Sequence, residues 1–165
     1  VSILGIAKRV EPWFDELRLP ESWEGAPAEI VTEYFLKARH RSPAEWWQGV
    51  PGGESFGDFY RRITENLARF LEDRGAVQPD PKAHPSLWNV RDREQRIVFV
   101  GHGGSNAAAI SFLLGIEPVP WPWERFVSHH ASVSRLKAST LLGGHIFGLR
   151  ALSDIAHLPQ ESRTR

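Results

Sequence analysis

The stretch Ile97-Val98-Phe99-Val100-Gly101-His102-Gly103-Gly104 runs without a break into Ser105-Asn106-Ala107-Ala108-Ala109-Ile110, and it constrains the fold more than any other part of the chain. Four consecutive apolar residues between Arg96 and Gly101 predict a strand buried on both faces, as in a parallel sheet covered by helices. The glycines then turn the backbone straight into a helix that stops at Gly115. In open α/β sheets, ligands bind beyond the carboxyl ends of the strands. A helix N-terminus at that place offers unpaired N–H groups and the positive end of a dipole, which favours an anion. Glycines on both sides of His102 let a ligand approach the backbone closely. The imidazole can donate to a phosphoryl oxygen or carry a proton near neutral pH. A tight strand-to-helix turn whose histidine only satisfies a backbone carbonyl is the plainer alternative, and the turn alone does not separate the two.

The rest of the chain supplies elements that can cover such a sheet. Residues Val1 to Gly25 are mixed, with Pro12 and Pro20 breaking any long helix. From Pro27 to His40, Ile30, Val31, Tyr34, Phe35 and Ala38 recur at helical spacing. Ser42-Pro43-Ala44-Glu45 is a capping box that opens a short helix carrying Trp46 and Trp47. Ser55 caps a longer helix with one apolar stripe, Phe56, Phe59, Tyr60, Ile63, Leu67, Phe70 and Leu71, ended by Gly75. The polar, proline-spaced stretch from Gln78 to Gln95 predicts an exposed connection. Ser132 to Ala138 and His145 to Leu149 predict a hairpin across Gly143-Gly144. Helices alternating with a buried strand indicate an α/β layered fold. Residues 1–158 are expected to form one domain, and residues 159–165 a flexible tail.

Composition removes several function classes. Lys+Arg and Asp+Glu are 20 each, with no basic block, so neither nucleic acid nor an anionic membrane is expected as a partner. The chain has no cysteine, which excludes a disulfide framework, a thiolate nucleophile and any Cys-based metal site. No apolar run approaches a membrane span, and the first residues lack the pattern of a signal peptide, so a cytoplasmic protein is expected. His40, His84, His129, His130, His145 and His157 show no ligand spacing, so no metal is expected.

Several blocks fall in a telling order: Glu16 before Trp23-Glu24-Gly25, then Gly52-Gly53-Glu54-Ser55-Phe56 with Arg62, then Val98 to Gly104, then Ala131-Ser132-Val133-Ser134, and Asp154 with His157-Leu158. Over nearly the whole chain this resembles the histidine phosphatase superfamily, the phosphoglycerate-mutase-like group, and its bacterial phosphatase branch. The resemblance implies a three-layer α/β sandwich with a mostly parallel central sheet. It also implies a cofactor-free, metal-independent phosphatase that hydrolyses a small-molecule phosphate monoester through a phosphohistidine; a homodimer is compatible with it. By resemblance, His102 is the second active-site histidine, which holds the phosphoryl group, and Gly103 follows it with its N–H toward phosphate. Gly104 is grouped with it as substrate-binding. Glu16 matches the acidic residue that protonates the leaving oxygen and later activates water; Asp15 and Glu54 remain substitutes.

One departure is plain. The family's nucleophile lies in an Arg-His-Gly motif on the first strand, and this chain has none; Arg39-His40-Arg41 ends a helix and lacks the glycine. The chain is therefore expected to begin after the family's first two motifs, to lack the N-terminal strand, and not to turn over by itself. A catalytically incomplete binding module is the alternative. A serine hydrolase using Ser105 with Asp154 and His157 ranks behind both, since Asp154 and His157 are nearly adjacent. Trp46, Trp47, Trp121 and Trp123 are candidates to wall a pocket for an apolar or planar leaving group.

Overall fold

The computed structural model describes residues 8–164. The organising element is α3 (Phe56–Glu72), capped by Ser55, whose hydroxyl accepts from the Asp58 N–H at 3.0 Å. Its apolar stripe buries Phe56, Phe59, Ile63, Leu67 and Leu71, and this face gathers Phe14, Trp88, Ala108 and Ala109 into the main core. Two shorter helices precede it, α1 (Ala28–Ala38) and α2 (Pro43–Trp47). The predicted capping box of α2 is present, with the Ser42 N–H donating to Glu45 Oε2 at 2.8 Å. Burial alone pushes the Tyr60 hydroxyl up to about 12, so it stays neutral beside the core. Ile63 is fully enclosed. Ile63→Val should cost about 1 kcal/mol, read as a lower urea midpoint with an unchanged slope. A midpoint equal to wild type would mean that this site does not pack as described.

The next helix, α4 (Gly103–Leu113), is lined by alanines and therefore thin. It packs against the α3 core through Ala108 and Ala109, and through Ala107 and Ile110 against Phe126, Leu136 and Leu149. The short α5 (Pro122–Arg125) follows the Pro/Trp loop. The C-terminal hairpin is longer than predicted, β3 (Val133–Leu141) with β4 (Gly144–Asp154). Its two-residue turn is Leu142-Gly143, one position earlier than expected, with φ of 53° and 74°. Both values are positive, which is what a tight hairpin turn of this twist requires.

Two expectations are corrected. The stretch from Gln78 to Gln95 is not simply an exposed connection. It holds β2 (Asn89–Val90), which pairs antiparallel with β1 (Ala76–Val77), and it buries Trp88. Trp88 and His145 exchange two backbone bonds of 2.8 and 2.7 Å, which ties this small sheet to the hairpin. The second correction concerns the parallel central sheet. The described residues form two two-stranded antiparallel sheets and no parallel ladder. Ile97 to Val100 is outside any strand, and none of its backbone groups bonds another element among the described residues. Phe99 packs inward against Trp13, Phe14 and Phe70, whereas Val98 is 81% and Val100 92% exposed. The physical reason is that a strand needs a neighbour to take its N–H and C=O groups and to cover its second face. The tail carries a 3-10 turn, Gln160–Ser162, and the Arg163 side chain donates to the Leu158 carbonyl. The readings made on the first seven residues lie outside the described part.

Candidate functional site

The 3-10 turn Pro12–Phe14 is pinned by aromatic packing, Phe14 lying 5.1 Å from the Phe99 ring. This leaves Asp15 exposed and brings Glu16 to the first turn of α4. Glu16 Oε2 accepts from the Gly104 N–H at 2.8 Å across 88 residues of sequence, and Oε1 accepts from its own neighbour, the Leu17 N–H, at 2.8 Å. A carboxylate at this place caps an orphan donor and offsets the positive end of the helix. Glycine at 104 makes room for this contact, because a Cβ there would push the Glu16 carboxylate aside. Gly101 is required for a related reason: its Cβ would sit 2.9 Å from Phe14 Cδ1.

His102 is the N-cap residue of α4, and its ring is exposed, with no hydrogen bond among the described residues. The space beside Gly103 is open, and its N–H has no partner among the described residues. The structure thus brings together the four predicted site residues, Glu16, His102, Gly103 and Gly104. A carboxylate and an uncapped N–H meet at the start of α4, with His102 before them as its N-cap residue. Such a group can bind an anion and deliver or accept a proton.

The substitutes for Glu16 are placed elsewhere. Glu54 meets Arg62 in a two-point contact, Nε to Oε1 at 2.8 Å and Nη2 to Oε2 at 2.7 Å, with side chains only 11% and 13% exposed. It also accepts from the Arg18 N–H at 3.2 Å. Arg62 reaches past Glu54 to the carbonyls of Trp13, Asp15 and Glu16 at 2.8, 3.0 and 3.2 Å. One planar guanidinium therefore holds the segment that carries Glu16, which a lysine could not do with equal geometry. The sequence order places Arg62 in a motif without giving it a role at the site. The available signal was its position three residues after Phe59, beside the apolar stripe, where an arginine needs buried partners.

Ser105 is fully buried, and its hydroxyl is bonded at 3.2 Å to the His102 N–H and carbonyl. No hydrogen bond joins it to Asp154 or His157 among the described residues, so its role here is to cap α4. His145 Nδ1 accepts from the Val90 N–H at 3.2 Å and serves the sheet junction. His129 and His130 pair with Ser153 and Thr164. Among the described residues, no three His, Asp or Glu side chains gather as metal ligands, and no helix is long and apolar enough to cross a membrane.

Beside Glu16, Gly103 and Gly104 opens a cavity of about 750 Å³. Its far wall is aromatic: Trp46 lies 6.0 Å from Trp121, 6.5 Å from Trp123 and 6.4 Å from Phe35. Three of the four expected tryptophans line it, whereas Trp47 packs against the core.

No family model matches the chain, and no curated protein does. Among solved structures, a mycobacterial glucosyl-3-phosphoglycerate phosphatase, in complex with VO3, is similar at 20% identity and a TM-score of 0.53. The match covers 91% of this chain, which spans 66% of that one. The likeness shows the fold alone: an α/β arrangement of helices and small sheets shared with that structure.

Proposed function

We propose that this chain belongs to the histidine phosphatase superfamily and binds the phosphoryl group of a small-molecule phosphate monoester at the start of α4. The observation that carries the reading is the Glu16–Gly104 contact beside His102, which brings a carboxylate from a distant part of the chain to the start of α4. The fold shared with a phosphatase supports it. His102 and the Gly103 N–H hold phosphoryl oxygens. In the first half-reaction an imidazole attacks phosphorus, the bond to the leaving oxygen breaks, and Glu16 gives that oxygen its proton. In the second, water attacks phosphorus, Glu16 takes the water proton, and the P–N bond breaks to release inorganic phosphate. The attacking imidazole has no counterpart in residues 1–165, which contain no Arg-His-Gly. In this reading it comes from a strand outside them that pairs with Ile97 to Val100 and covers the exposed Val98 and Val100.

Vanadate binding followed by vanadium NMR tests the anion site without needing turnover. The chain should bind vanadate, and His102→Ala should weaken binding about tenfold, the scale of one charge-assisted hydrogen bond. Absence of binding, or binding untouched by His102→Ala, overturns the reading. Turnover of an aryl phosphate by residues 1–165 alone would instead overturn the need for an outside nucleophile.

A further inference from the structure

Resting on that phosphatase reading, we infer that the substrate's leaving group is bulky and apolar, of the aryl type, and lies against Phe35, Trp46, Trp121 and Trp123. The cavity of about 750 Å³ is continuous with Glu16, Gly103 and Gly104, so a phosphoryl group at α4 leaves most of its volume to the rest of the ester. Local sequence builds that volume. Pro122 opens α5 and sets Trp121 and Trp123 on either side of itself, and Trp123 then packs 5.3 Å from Phe56. The capping box of α2 sets Trp46 against both tryptophans.

Several polar side chains in the same cavity have partners of their own. Thr32 Oγ1 donates to the Ala28 carbonyl at 2.9 Å. Arg41 donates to the Tyr34 hydroxyl at 2.6 Å and lies over the Tyr34 ring. Arg39 faces Glu124 at 3.4 Å, so the two formal charges there cancel. A sugar or glyceryl leaving group must find a partner for each hydroxyl it buries, and each unpaired one weakens binding. Arg41, the cation of the lining without an anionic partner among the described residues, packs on the Tyr34 ring. A planar aryl group asks for no such partner and gains contact with the rings of the wall.

Calorimetric titration separates the outcomes with three probes: inorganic phosphate, glycerol 2-phosphate and 2-naphthyl phosphate. Naphthyl phosphate should bind at least about tenfold more tightly than inorganic phosphate, from aromatic contact alone, and glycerol 2-phosphate no more tightly. Trp121→Ala should cut the ratio of naphthyl to inorganic phosphate affinity about tenfold. Leu36→Glu places a charge on the cavity wall at a residue 55% exposed, where folding is not at stake, and should lower the same ratio. Glycerol 2-phosphate binding as tightly as the naphthyl ester, or a ratio unmoved by Leu36→Glu, overturns this inference and leaves the phosphatase reading standing. If none of the three probes binds, the phosphatase reading falls and the inference falls with it.

Discussion

Under the proposed reaction, with the attacking imidazole supplied, Glu16→Gln is expected to lower kcat/KM for an alkyl phosphate about 100- to 10,000-fold. Glutamine keeps the size of the side chain and its one oxygen can still accept from the Gly104 N–H, so the cap at the start of α4 survives while the bond from the Leu17 N–H is given up. What disappears is the proton that the leaving oxygen needs. The loss should therefore be smaller for an activated aryl phosphate, whose leaving group departs without protonation. Equal losses on both ester types would argue that Glu16 acts only as a cap. The pattern appearing in Glu54→Gln instead would move the acid to Glu54, against the contact in which both Glu54 oxygens face Arg62.

Arg62→Ala is the second large effect. Removing one partner of a mostly buried ion pair leaves the other charge uncompensated, at a cost of about 3–5 kcal/mol. Here the carbonyls of Trp13, Asp15 and Glu16 lose a donor as well. Arg62→Lys keeps the charge but cannot reproduce the fork to Glu54 together with three carbonyls. It should fold and still lose activity, because the Glu16 segment is no longer held against α4. Arg62 is a positioning residue in this account. Its signature is therefore a fall in kcat for Arg62→Lys with the leaving-group pattern of Glu16→Gln. A lysine variant with wild-type kcat would show that packing of Phe14 and Trp13 alone places Glu16.

The sequence by itself determined the parts whose causes lie within a few residues. The Ser42 and Ser55 caps, the apolar stripe of α3 and the hairpin near Gly143 are each encoded in a short window, and each is present. The position of His102 before a helix was legible for the same reason, since glycines and alanines mark that turn locally. Tertiary structure alone decided the rest. Glu16 meets Gly104, and Arg62 meets both Glu54 and the Glu16 carbonyl, only because the aromatic rings of Phe14, Phe70 and Phe99 draw distant segments together. Trp88 looked exposed among prolines, yet it is buried by Phe112 and Phe147, which no neighbouring residue announces. Ile97 to Val100 shows the limit most clearly. Four apolar residues state a preference for a covered strand, but hydrogen bonding to a neighbour is a property of two segments, and the described residues provide only one of them.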